Sequence, residues 1–176
     1  MSSVGVDTYS YHRRLGEVRP GESAPAGPLW SWRDALDVSR RAGADVVALE
    51  TCFMGAPDEL DTTDLTAGPE SCEVMLSWGH PYGIEYGASP EAERDLLSWL
   101  GVAAQCGHRA MRIVIGHWQV RDTVSPWPQV RGTVPALRRL AASAAREGVV
   151  LAIENHTDVT AEQLSWLLDE VGSPSL

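Results

Sequence analysis

Glu154 is the most chemically conspicuous residue in this sequence. It closes the apolar run Val149–Ile153, where a carboxylate is costly to bury unless it is paired or ligates a metal. Asn155 and His156 follow it directly. Three further histidines fall at or just past the ends of short apolar runs. His12 comes after Asp7-Thr8-Tyr9-Ser10-Tyr11, His80 after Trp78-Gly79, and His117 before Trp118. Only His108 falls at the start of such a run. The run ending at Glu50 adds Thr51 and Cys52. Imidazoles and carboxylates gathered on one rim of a fold are groups that move protons and hold metal ions. The candidate functional residues are therefore Glu154, His80, Tyr9, His12, Trp78, Asn155, His156 and His117. Asn155 equally well closes a turn, and Trp78, like Trp118, either walls a small pocket or packs in the core.

The elements that position these residues repeat. Gly43, Gly107 and Gly148 each end a helical stretch, and short apolar, β-branched runs follow at residues 46–50, 110–116 and 149–153. Runs apolar on both faces are how strands of a covered parallel sheet read, and glycine suits the left-handed end of the preceding helix. Val4–Ser10 and Glu73–Trp78 read as two more strands. Helices are predicted over Trp32–Ala42 with Ser31 as cap, from Ser89-Pro90 along the stripe Ala92, Leu96, Leu100 and Ala103, and along Val130, Val134, Leu137, Ala141 and Ala144. A last helix runs from a Thr160/Gln163 capping box to Val171, stopped by Gly172 and Pro174. The polar stretch Asp58–Ser71 is a place for a short helix. The loop holding Pro20, Gly21, Pro25, Gly27 and Pro28 is either a cover for the site or a surface excursion.

The reading is an α/β fold of five βα units in one domain, residues 1–176, with a parallel sheet. Strand starts recur about every 36 residues, so eight units would need about 290 residues, the size of an eight-stranded barrel. A complete five-stranded doubly wound sheet is the structural rival. The first strand leads into no glycine-rich phosphate turn, and no Walker loop occurs.

Composition narrows the function classes. The chain has 176 residues, 44% hydrophobic and 22% charged, with a formal net charge of −10. That is globular composition, and its acidity argues against a phosphate-binding nucleic-acid surface. No secretion signal and no run long enough to span a bilayer are visible, so a cytoplasmic protein without a membrane partner is expected. Cys52, Cys72 and Cys106 match no zinc motif and are expected as buried free thiols.

The segment Ala152-Ile153-Glu154-Asn155-His156, with the helix Thr160–Val171 and Gly172-Ser173-Pro174-Ser175-Leu176, resembles the middle of the sugar phosphate isomerase/epimerase family of xylose isomerase-like barrels. Asp7-Thr8-Tyr9-Ser10-Tyr11-His12 and Trp78-Gly79-His80-Pro81 fit one branch of it. The resemblance implies a TIM barrel of which this chain is the N-terminal portion, truncated after the fifth βα unit. It implies a divalent metal, manganese, magnesium or zinc, with Glu154 as ligand and as catalytic carboxylate, and with the other three usual ligands absent from the chain. It implies proton transfer next to a sugar carbonyl, on a small sugar-like substrate, impaired here by the truncation. Two other readings stay open: a non-catalytic half-barrel that forms a homodimer through its open sheet edges or needs a partner subunit, and a complete open-sheet binding protein.

Overall fold

The computed structural model describes residues 4–66, 72–116, 126–155 and 158–176. His117, Trp118 and His156 lie outside the described residues. Five parallel strands, β1 (Gly5–Asp7), β2 (Val46–Glu50), β3 (Glu73–Ser77), β4 (Ala110–Val114) and β5 (Val150–Glu154), form one sheet whose order follows the sequence. Among the described residues four α-helices accompany them: α1 (Trp32–Arg41), α2 (Pro90–Gln105), α3 (Pro126–Glu147) and α4 (Ala161–Val171). The chain divides into two compact units, Met1–Ser77 and Trp78–Leu176.

In the first unit β2 pairs in parallel with β1 (Val6 opposite Val47) and with β3 (Val47 opposite Val74, Glu50 opposite Ser77). The pleat sends Val47, Leu49, Val74 and Leu76 to one face, and all four are buried. Ala48, Glu50, Met75 and Ser77 take the other face. Helix α1 packs on β2. It starts at a reciprocal capping box in which Ser31 accepts from the Asp34 N–H and Asp34 accepts from the Ser31 N–H. Strand β1 is shorter than its sequence suggests. Asp7 accepts from the Tyr9 N–H at 2.7 Å and turns Thr8–Tyr11 into a 3-10 turn, because a short carboxylate offers the backbone a partner that a strand ladder would otherwise supply.

The second βα unit differs from expectation. Among the described residues no α-helix joins β2 to β3. The connection holds three 3-10 turns, Thr51–Phe53, Pro57–Glu59 and Thr63–Leu65. Its Asp and Thr side chains bond locally, with Asp61 accepting from both the N–H and the hydroxyl of Thr63, and Pro57 removes a donor. Such chemistry favours turns over a continuous helix.

In the second unit β4 pairs with β5, Met111 opposite Leu151 and Val114 opposite Glu154. Met111, Ile113 and Leu151 are fully buried. Each such side chain contributes roughly 1.5–3 kcal/mol relative to exposure. Helix α2 packs on β4, α3 on β5 and α2, and α4 on α3. The Thr160/Gln163 capping box forms as predicted, and Gly172 ends α4 in the left-handed conformation at φ 63°. The tail then returns to the sheet, where the Leu151 N–H donates to the Ser175 carbonyl at 2.9 Å. The helix-to-strand glycines Gly43, Gly107 and Gly148 all have positive φ.

Candidate functional site

The C-terminal end of β1 carries Tyr9 and His12, and both are engaged by the loop that follows. The Tyr9 hydroxyl donates to Glu17 at 2.7 Å and accepts from the Arg19 guanidinium at 2.5 Å. Arg19 also lies over the Tyr9 ring, 5.0 Å from its centre, while Phe53 and His12 stack beside it. Burial is the main cause that holds the Tyr9 phenol above its usual pKa; Arg19 opposes the shift and Glu17 adds to it. The two His12 ring nitrogens lie 3.0 Å from the Tyr9 carbonyl and 3.1 Å from a Glu22 oxygen. The Arg19 N–H, and then His12, hold the part-exposed Glu22 carboxyl below its usual range. The proline- and glycine-rich loop is therefore tied down over the end of β1, and the polar atoms of Tyr9 and His12 serve that tie.

Trp78, His80 and Asn155 belong to the second unit. Trp78 is fully buried, and its indole N–H donates to Asp95 of α2 at 2.7 Å. It therefore forms no open pocket wall. Its partner is the half-buried His80, which stacks on it at 5.2 Å with planes 9° apart. The Tyr82 N–H points at His80 Nδ1 from 3.4 Å. Trp78 thus supports a half-buried imidazole. Asn155 Oδ1 accepts from the Val159 N–H at 3.5 Å, the turn-closing role.

Glu154 ends β5, and its side chain is 36% exposed. It forms an ion pair with Arg112 of the neighbouring strand. Strand parity permits this: Arg112 lies opposite Ala152, and Val114 opposite Glu154, so Arg112 and Glu154 share a face. The sequence analysis missed Arg112. Its signal is an arginine amid the apolar run Met111–Ile115, with the same parity as Glu154.

Tyr86 was also missed. Glu85 and Tyr86 both have positive φ, 49° and 53°, a conformation that costs non-glycine residues of order 1–3 kcal/mol and concentrates at functional sites. The strain is held by the Tyr86 N–H donating to the Ile115 carbonyl at 2.9 Å and by the Tyr86 hydroxyl donating to the Asp158 carbonyl at 3.3 Å. The ring lies against Gly116, where any Cβ would come within 2.2 Å of it. A strained turn thus bridges the segments that follow β4 and β5.

Cys52 is exposed, Cys72 is intermediate and only Cys106 is buried; all three are free thiols. The expectation of three buried thiols holds for Cys106 alone, because the turns after β2 bring Cys52 to the surface. The thiol of Cys52 is nevertheless desolvated, which pushes it up to about 11, with Glu17 and Asp7 adding to the shift. Among the described residues no three His, Cys, Asp or Glu side chains are grouped so as to hold a metal ion, and Glu154 is paired with Arg112. Among the described residues these donors do not by themselves make a divalent-metal site. Among the described residues no helix is long and apolar enough to cross a membrane.

Solved structures share the fold. The chain matches that of an L-ribulose 3-epimerase at 19% identity and TM-score 0.64, covering 99% of this chain and 59% of that one. It matches a D-psicose 3-epimerase solved in the presence of D-fructose at 13% identity and TM-score 0.70, covering 99% and 61%. It matches a D-allulose 3-epimerase from Methylomonas sp. in complex with D-allulose at 16% identity and TM-score 0.61, covering 98% and 60%. The chain thus spans about three fifths of the length of these structures. Among curated proteins none matches. Residues 36–176 match the family described as xylose isomerase-like TIM barrel. The five-stranded parallel α/β chain therefore belongs to the xylose isomerase-like TIM barrel family.

Proposed function

We propose that the chain is the portion of a sugar isomerase or epimerase that carries strands one to five, and that its sugar is bound at the C-terminal end of β5. The observation that carries this reading is Glu154, a part-exposed carboxylate ending an otherwise apolar strand and paired with Arg112, in a chain of this family. The epimerase neighbours, one of them in complex with D-allulose, supply the substrate class.

The chemistry follows from the pair. A carbon next to a sugar carbonyl loses its proton when a carboxylate accepts it and the carbonyl oxygen takes the negative charge. Return of a proton to the opposite face of the same carbon gives the epimer. Return to the former carbonyl carbon, with the hydroxyl proton of the first carbon passing to the former carbonyl oxygen, gives the isomer. In this reading Glu154 accepts the proton, and the Arg112 guanidinium supplies N–H donors near the developing charge. His80, held flat by Trp78, is a hydrogen-bonding partner for a sugar hydroxyl, and Asn155, His156 and His117 complete the substrate-binding candidates. The resemblance implies a manganese, magnesium or zinc ion with Glu154 as ligand, but the described residues do not form such a site, and no step here passes through a metal.

The test is incubation of the chain with D-allulose, D-fructose and L-ribulose in D2O, with and without added manganese. Deuterium entering next to the carbonyl in wild type, and lost in Glu154→Gln, supports the reading. No exchange and no sugar binding would overturn it.

One observation favours a second reading, a non-catalytic half-barrel that pairs with another copy. Val150 on β5 is 42% exposed, an apolar strand position that a partner surface would cover. Sedimentation distinguishes the two: a dimer that dissociates in Val150→Lys supports pairing, and a monomer at all concentrations opposes it.

A further inference from the structure

We propose that Glu50 and Ser77 form a subsite that binds one hydroxyl of a polyol ligand; this rests on the sugar-binding reading above and extends it to residues that reading does not use. Both residues end their strands, β2 and β3, on the side where ligands bind in parallel α/β folds. They are direct register partners, so their side chains leave the same face roughly 5 Å apart at the backbone. Glu50 is 4% exposed and Ser77 is fully buried. The Glu50 N–H donates to the buried Thr8 hydroxyl at 2.9 Å, which fixes the end of β2.

The Ser77 hydroxyl is what makes this a site rather than a polar anchor. It is enclosed, and no hydrogen-bond partner reaches it among the described residues. Burying a hydroxyl unpaired costs free energy that alanine at the same place would not. A carboxylate that accepts, beside a hydroxyl that both donates and accepts, is the pairing that reads a neutral alcohol group. One carboxylate and one serine offer too little to hold a cation, and no positive charge in the pair suits a phosphate. The ligand class is thus an uncharged polyhydroxylated molecule.

The experiment is titration of D-allulose and D-fructose into the full 176-residue chain, followed by amide NMR, which also reports whether each variant is folded. Shifts at the Glu50 and Ser77 amides are read separately from those at Glu154. Loss of one neutral hydrogen bond predicts that Ser77→Ala weakens sugar binding roughly threefold to tenfold, and loss of the charged acceptor predicts roughly tenfold or more for Glu50→Gln. Ser77→Ala is also expected to keep or raise the melting temperature, because it removes an unpaired buried hydroxyl. Weaker binding in a variant of equal or greater stability is a signature that a structural hydroxyl cannot produce. If wild type binds and both variants bind equally well, the inference falls and the sugar function stands. If Ser77→Ala loses stability and keeps its affinity, the hydroxyl serves the fold, through a buried water, and the inference is overturned. If wild type binds neither sugar, the proposed function falls and takes this subsite with it.

Discussion

Gly83→Ala tests how rigidly the strained turn around Glu85 and Tyr86 is held on the end of β4. An ideal Cβ at Gly83 would lie 2.6 Å from the Val114 carbonyl oxygen and 2.8 Å from the Gly116 nitrogen. These are backbone atoms, so no side chain can rotate out of the way. Relief requires the turn to lift, which breaks the Ile84-to-Val114 and Tyr86-to-Ile115 hydrogen bonds. At about 1 kcal/mol each, with about 1 kcal/mol more for alanine at φ +60°, the loss is about 3 kcal/mol. For a chain of this length that lowers Tm by roughly 6–12 °C. Gly107→Ala is the matched control. Its φ is +76°, but nothing lies within 4 Å of the added Cβ, so only the conformational cost remains, about 1 kcal/mol and roughly 2–4 °C. Thermal unfolding followed by circular dichroism measures both. Equal losses in the two variants would refute the claim that the turn is clamped on the strand end.

The remaining predictions concern the cap, the thiol and the acidic surface. Thr160→Ala removes one half of the α4 capping box and is expected to cost about 1 kcal/mol in chemical denaturation, with Thr160→Ser restoring most of it; an unchanged midpoint would contradict the cap. Cys52 alkylation by iodoacetamide is expected to stay slow at pH 8 and to rise up to about pH 11, the value to which desolvation pushes the thiol; labelling at the rate of a free thiol peptide would contradict it. Asp34 has its pKa lowered by hydrogen bonds from Ser31. Its stabilising effect on α1 is therefore present above the ordinary carboxylate range and is lost as pH falls through the lowered value. The Tm difference between wild type and Asp34→Ala should accordingly shrink on acidification; a difference that grows would show the sign to be wrong.

The parallel α/β order was legible because local and global signals agree. The Thr160/Gln163 box, the Ser89-Pro90 start and the glycines before β2, β4 and β5 each act within a few residues, and the structure has those elements within a residue or two of expectation. Two failures are also local. Asp7 and Asp61 hydrogen-bond their own turns, which shortens β1 and leaves 3-10 turns where a helix was considered. The site was less legible because its partners come from distant sequence. Nothing near Glu154 announces Arg112, 42 positions earlier; only the register of β4 on β5 places them together. Trp78 read equally as wall or core, and its bond to Asp95 decides for the core. Tyr9 and His12 read as open rim groups because Glu17, Arg19 and Glu22, which occupy them, sit in a loop without periodicity. Tyr86 carried no sequence signal, since a tyrosine gives no warning of left-handed backbone.

The central claim, a sugar site built on the end of β5, is tested most directly by isothermal titration of D-allulose into wild type and Glu154→Gln, with Asp169→Asn on α4 as a surface control. The account predicts saturable binding by wild type and the control and a loss of roughly tenfold or more in Glu154→Gln, the cost of removing a charged acceptor. Equal affinity in all three, or no binding by any, would contradict it.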